Sequence, residues 1–153
     1  MTAFEQASRN ARTGQETLEA SGRVIAKRMS LLSEAMADPA NADHAELSRM
    51  GTEKLVAAAA SAEALIEGGV DLARAASSIA ERAAEHGTHL MQDISHARSL
   101  ADVAILQAQW GLAAWNRALS DGQDMTSRLL DTQARALSPI HSAVTDNASR
   151  LKA

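Results

Sequence analysis

A seven-residue repeat in the middle of the chain limits the possible folds more than any other feature. From about Thr52 to Ala97, apolar or small side chains recur at every seventh position, and a second apolar series follows three residues later. This spacing places one apolar stripe along a long helix and is typical of coiled coils. We predict an oligomer seam, and therefore a homo-oligomer. The seam consists of Leu55, Ala62, Leu65, Leu72, Ala76, Ile79 and Leu90.

Capping residues and two prolines indicate where the helices begin and end. Asp38-Pro39 ends a first helix, because the residue before a proline is disfavoured in the helical region. Ser99 with Asp102 three residues later resembles a capping box, and Gly51 and Ser138-Pro139 predict interruptions. We predict one domain, residues 1–153, with helices at about 2–36, 43–50, 52–97, 99–138 and 140–151.

The fold class predicted from these patterns is an all-α, elongated bundle of long helices with coiled-coil-like packing. No stretch alternates apolar and polar residues with β-branched side chains, so we predict no sheet. The helix at 52–97 alone would be about 69 Å long, whereas a compact domain of this size is roughly 40 Å across. The chain is alanine-rich and has only one Phe and two Trp, which favours helices that gain little from packing.

Composition also makes several classes of protein improbable. The chain has no cysteine, which excludes disulfides and thiolate ligands and fits a cytoplasmic location. The first residues lack the pattern of a signal peptide, and no window approaches the ~18 apolar residues of a membrane span. The net charge is −4, with interspersed charges and three lysines. We therefore expect neither a membrane span nor nucleic-acid binding.

Two tryptophans carry the clearest functional signal. Trp110 and Trp115 lie five positions apart, so on a helix they point about 140° from one another, and one narrow stripe cannot hold both. Such a wide apolar arc requires two apolar neighbours, or one neighbour and an apolar surface. The predicted contact set is Val103, Leu106, Trp110, Leu112, Trp115 and Leu119, with Ile105 on the same side as Leu112.

A group of histidines is the main alternative signal. His86, His89, Asp93 and His96 share one helix face and form a weak candidate metal site, which would support a metal-dependent enzyme. A solvated polar stripe explains them better, because the sequence supplies no supporting partners for such ligands. Nucleophile elbows, phosphate-binding loops and paired Glu-x-x-His motifs are absent from the sequence. We expect no enzyme activity, no cofactor and no metal.

Several segments resemble the phasin family. The stretch Arg23 to His44 contains VIAKRMSLLSEAMADPANADH and is followed by ELSRMGTEKL; both are similar to phasin sequences. In ADVAILQAQWGLAAW, residues 101–115, a Leu-Gln pair followed by an aromatic residue resembles a phasin helix. Ser138-Pro139-Ile140 resembles the late proline of the family, so the likeness extends over residues 23–151.

The resemblance implies a non-enzymatic protein that coats polyhydroxyalkanoate granules in the cytoplasm and limits their coalescence. It implies self-association through coiled-coil contacts and amphipathic helices on the polyester surface, with the contact set around Trp110 and Trp115 touching the polymer. Our hypothesis is that these apolar faces pack against helices in solution and turn outward on a granule. In the alternative, both rings anchor the core of a permanent oligomer. A soluble coiled-coil adaptor without polymer affinity is the alternative function.

Overall fold

The computed structural model describes residues 2–38 and 44–150, and these ranges contain three α-helices and no strand. Helix α1 is Ala3–Ala37, α2 is His44–Ser95 and α3 is Leu100–Arg150. The all-α fold is therefore confirmed. The chain divides into two compact units: unit 1 is residues 1–67 with 130–153, and unit 2 is residues 68–129. The single domain and the elongated shape stay predictions.

Local capping interactions begin α1 and α3 where the sequence predicts a helix start. At the start of α1, Thr2 Oγ1 accepts from the Glu5 N–H at 3.2 Å, and Glu5 Oε2 accepts from the Thr2 N–H at 2.9 Å. At the start of α3, Ser99 Oγ accepts from the Asp102 N–H at 3.1 Å, and the Asp102 carboxylate accepts from the Arg98 N–H. Each pair satisfies backbone donors that have no partner within the helix.

The predicted interruptions at Gly51 and Pro139 are absent. Helix α2 runs through Gly51, where a helical glycine costs only about 1 kcal/mol relative to alanine. Helix α3 runs through Pro139, although an internal proline costs about 3 kcal/mol. The turns after Pro139 carry Val144 and Ala148, which pack in the core of unit 1, so packing outweighs the local preference. Helix α1 ends at Ala37, next to Asp38-Pro39 as predicted, while residues 39–43, with the predicted start of the second helix at 43, lie outside the described residues.

The apolar core of unit 1 is small. Ala20 and Val24 of α1 are almost fully buried against Ala148 of α3, with Val144 packed beside them. Ala57 of α2 is also buried. Side chains of this size allow close approach of the three helices but bury little apolar area each, so unit 1 relies on further interactions for its specificity.

Buried polar side chains supply that specificity. Asn10 Nδ2 of α1 donates to the Leu130 carbonyl of α3 at 2.9 Å and to Gln133 Oε1 at 3.0 Å. Seven residues further along α1, Thr17 Oγ1 lies 3.0 Å from His141 Nδ1 of α3, so α1 and α3 run parallel in unit 1. A buried polar group without a partner is costly, so these pairs select one helix register. Among the residues whose burial the structure describes, the buried polar ones are Asn10, Thr17, Ser61, Thr132 and Asn147.

Unit 2 is an antiparallel hairpin of α2 and α3, joined by residues 96–99. Arg82 of α2 and Asp121 of α3 form an ion pair across it at 2.9 Å. Every residue from 68 to 129 is described, and none of the hydrophobic side chains in this range is buried. Two helices cannot enclose a side chain from all directions, so the apolar residues of unit 2 remain half-buried or exposed.

Candidate functional site

One exposed apolar stripe runs along α3 in unit 2, and we call it the outward face. Its members follow one another at spacings of seven, three and four residues, which keeps them within one arc of the helix. All of them are at least half exposed. The outward face consists of Ile105 (56% exposed), Leu112 (66%), Trp115 (64%) and Leu119 (50%).

The other apolar side of α3 faces the interior of the hairpin. Val103 and Leu106 are half-buried, and Trp110 is 38% exposed. Trp110 lines a cavity of about 370 Å³ together with Ile79 and Ala83 of α2. The six predicted contact residues therefore divide into an inner group, Val103, Leu106 and Trp110, and an outer group, Leu112, Trp115 and Leu119. The two indole rings lie on different sides of α3, as their spacing predicts.

The outward face is uncharged over four helical turns. Residues 103–116 contain no acidic or basic side chain, and Arg117, which follows them, lines the inner cavity. Charged pairs flank this stretch within unit 2, including Arg128 with Asp124 at 2.8 Å. The hydrogen bond from Arg128 to Asp124 raises the pKa of the Arg128 guanidinium. An uncharged apolar stripe with charged flanks is typical of an interaction surface.

The predicted oligomer seam lies on α2 in two different environments. In unit 2, Leu72, Ile79 and Leu90 are half-buried and Ala76 is exposed. Because Ile79 lines the cavity beside Trp110, part of the seam is already used inside one chain. The remaining seam residues belong to unit 1 and are all exposed; they are Leu55, Ala62 and Leu65. Oligomerisation through this seam stays a prediction.

Two exposed apolar residues of α2 in unit 2 were missed by the sequence analysis. Val70 is 43% exposed and Met91 is 66% exposed. They lie 21 residues apart, which is three heptads, so they share one side of α2. This heptad spacing, displaced from that of the predicted seam, is the sequence signal by which they could have been identified. The stronger seam pattern on the same helix obscured it.

The structure does not bring the residues of the histidine face together as metal ligands. Within residues 2–38 and 44–150, no three His, Asp or Glu side chains gather at a distance suited to one metal ion. Instead, His86 Nδ1 donates to the Arg82 carbonyl, and His96 Nδ1 donates to the Gln92 carbonyl at 2.7 Å. His86, His89, Asp93 and His96 are therefore best described as a polar surface of α2 and the connection after it.

Comparison with known proteins gives one match. The family model described as "Phasin protein" matches residues 45–144, which is 100 of the 153 residues and includes the whole of unit 2. No curated protein matches the chain, and no solved structure matches it. Among the described helices, none has a stretch long and apolar enough to traverse a lipid bilayer.

Proposed function

Because that match covers well over half of its length, the chain belongs to the phasin family, and we propose that it coats polyhydroxyalkanoate granules through the outward face. At the level of the family, it is a granule-associated structural protein. The finer proposal is that the chain is non-enzymatic, self-associates, covers the polyester in the cytoplasm and limits granule coalescence. The six predicted contact residues touch the polymer in two stages, with the outer group first.

The observation that carries this proposal is the exposure of large apolar side chains on an uncharged stripe. Leu112, Trp115 and Leu119 are each half or more exposed to water. Full burial of such a side chain contributes about 1.5–3 kcal/mol, so covering the exposed part of these three contributes roughly 3–5 kcal/mol. A polyester surface offers mainly apolar contacts, and a helix lying on it needs a stripe of this kind.

The inner group allows a second stage. Val103, Leu106 and Trp110 add further apolar area if α3 turns or separates from α2 on the granule. Trp110 lines an open cavity between α2 and α3 and is 38% exposed, so part of its surface has no packing to give up. The Arg82–Asp121 pair opposes this change only weakly, because the Arg82 side chain is 47% exposed and Asp121 28%.

Tryptophan emission tests the second stage. Trp110→Phe and Trp115→Phe each leave one reporter ring. On adding polymer particles, we expect quencher access to fall first for Trp115, with Trp110 shifting its emission more slowly or at higher coverage. If the emission and quencher access of Trp110 are unchanged while Trp115 is protected, the outer group binds alone and the rearrangement is wrong.

A soluble adaptor is the alternative function, and the spacing of the outward face supports it. Ile105, Leu112 and Leu119 form a heptad series, with Trp115 three residues after Leu112, which also suits an apolar partner helix. In that case the outward face would bind protein and would show no preference for polyester.

Co-sedimentation with polyester granules separates the two functions. The test variant is Leu112→Ser with Trp115→Ser and Leu119→Ser; the matched control is Leu18→Ser with Met29→Ser and Leu32→Ser, three exposed apolar residues of α1. We expect the wild type and the control to pellet with bare granules but not with protein-blocked granules. We expect the test variant to bind at least tenfold more weakly, given the roughly 3–5 kcal/mol involved.

The same samples test the coating role. Granules incubated with wild-type protein should keep their size distribution under conditions in which bare granules fuse. The test variant should protect them much less than the control variant. Equal pelleting of all three proteins, or none, would contradict the proposed surface.

A further inference from the structure

An apolar groove with a cationic edge lies in unit 1, among α1, the start of α2 and the end of α3. Its volume is about 340 Å³. Its lining is mostly apolar and includes Val24 and Ile25 of α1, Ala58 of α2 and Val144 of α3. The size and lining are at the lower end of the range for small-molecule sites, which are mostly apolar with a few polar groups.

Two basic side chains line the same groove. They are Arg28 of α1 and Lys54 of α2. Arg28 Nε is buried and has no hydrogen-bond partner in the part of the chain that the structure describes. A buried donor without a partner is rare in native proteins, because its lost hydration is not replaced by another hydrogen bond.

Another arginine of unit 1, Arg150, differs from Arg28 in having a carboxylate partner. Nε of Arg150, which does not line the groove, is buried in the same way, but both oxygens of Glu53 hold the rest of that guanidinium at 3.0 and 3.1 Å. Among the described residues, Arg28 and Lys54 have no such carboxylate. Unit 1 thus places two positive charges from different helices beside an apolar groove, with no acidic side chain described against them.

We propose that this groove binds a free medium-chain aliphatic carboxylate. The alkyl chain lies against Val24, Ile25 and Val144, where it is removed from water. The carboxylate accepts charge-assisted hydrogen bonds from the Arg28 guanidinium, including Nε, and takes Lys54 as a second counter-ion. The planar fork of arginine matches both oxygens of a carboxylate, whereas an uncharged alcohol offers a single oxygen and a weaker hydrogen bond.

This site goes beyond the granule-coating role and does not depend on it. The groove belongs to unit 1, whereas the outward face belongs to unit 2. Loss of granule binding would leave carboxylate binding intact, and the reverse also holds, so the failures of the two proposals can be distinguished.

Calorimetry with the full chain and sodium decanoate tests the proposal, with decanol as the uncharged ligand of equal chain length. Arg28→Gln removes the charge at the groove, and Ala58→Leu fills it; Lys27→Gln is the control, an exposed cation next to Arg28 that does not line the groove. We expect decanoate to bind the wild type and Lys27→Gln equally. Arg28→Gln should raise the Kd about tenfold or more, the usual effect of losing a charged hydrogen bond.

Methyl NMR locates the ligand and guards against unfolded variants. Decanoate should shift the signals of Val24, Ile25 and Val144 in wild-type protein, and circular dichroism should show that each variant remains helical. The proposal is overturned if decanol binds as tightly as decanoate, or if Arg28→Gln leaves the Kd unchanged. Shifts confined to the outward face, or binding of a hydroxybutyrate oligomer but not of decanoate, would also overturn it.

Discussion

Units 1 and 2 contain the same kind of helix but use their apolar residues differently. In unit 1, segments of all three helices bury Ala20, Val24, Ala57 and Ala148. In unit 2, two helices bury no hydrophobic side chain at all in residues 68–129, and Trp115 is among those left exposed. The third helical segment makes the difference, because it closes the remaining side of the bundle. Unit 1 thus encloses a small core although it too exposes large apolar side chains such as Phe4 and Leu18, whereas unit 2 encloses none.

The largest expected difference comes from placing a carboxylate in each unit. Val24→Asp buries a charge in unit 1 and should lower the free energy of unfolding by about 3–5 kcal/mol. Leu112→Asp in unit 2 should change it by no more than about 0.5 kcal/mol, because the side chain is 66% exposed. Urea unfolding followed by circular dichroism measures both. Similar losses for the two variants would break the distinction between the units.

A smaller effect of opposite sign is expected at Pro139 in unit 1. Pro139→Ala restores a backbone donor inside α3 and removes a clash with the preceding turn, so it should raise the free energy of unfolding by about 1–3 kcal/mol. The neighbouring Ser138→Ala serves as the control and should change it by a few tenths. If Pro139→Ala destabilises the protein, it is wrong that core packing keeps α3 helical at the expense of an unfavourable proline.

A comparable gain, limited to helix propensity, is expected in unit 2. Gly111 lies inside α3, three turns from its start, and no heavy atom lies within 4 Å of where an added Cβ would be. Gly111→Ala should therefore stabilise the hairpin by about 0.5–1 kcal/mol without a packing penalty. Hydrogen exchange of the amides in residues 100–129 reports the gain, with Gln107→Ala as the exposed control. A loss of protection would mean that the interior of unit 2 is tighter than described.

The smallest expected effect is a pH dependence confined to unit 1. The hydrogen bond with Arg150 lowers the pKa of Glu53. This pair is therefore stabilising at pH values above the ordinary glutamate pKa, and its contribution is lost as the pH falls through the lowered value. We expect a loss of about 1 kcal/mol or less, since both side chains are about one-third exposed.

Thermal unfolding between pH 7 and pH 3 measures this contribution. Glu53→Gln should reduce the fall in unfolding temperature at acidic pH. Glu63→Gln, which replaces an exposed carboxylate elsewhere on α2, should leave the pH dependence of the unfolding temperature unchanged. An unchanged profile for Glu53→Gln would show that the Glu53–Arg150 pair does not contribute to unit 1.

The features predicted correctly from sequence are those decided by neighbouring residues. The starts of α1 and α3 depend on hydrogen bonds between residues three or four positions apart, so Ser99 and Asp102 could be recognised without a structure. The continuity of α3 through Pro139 could not be predicted from sequence, because it depends on the packing of Val144 and Ala148 against α1. The partners of Asn10 lie 120 and 123 residues away, beyond the reach of any local pattern.

The candidate site likewise has some features that local sequence predicts and others that depend on distant residues. The angle between Trp110 and Trp115 follows from helix geometry alone, so their different environments could be anticipated. Which ring faces inward depends on where α2 lies, and only the structure shows Trp110 beside Ile79. The cationic groove of unit 1 was missed because Arg28 and Lys54 come from different helices and no single-helix pattern relates them.

The connection of four residues between Ser95 and Leu100 has a consequence for any surface that unit 2 covers. A tether this short keeps α2 and α3 at a high effective concentration even after they separate, since closing so small a loop costs little entropy. The hairpin can therefore re-form from a single molecule as soon as it leaves a surface. Re-forming the α2–α3 pair requires no second chain, so its rate should be independent of protein concentration.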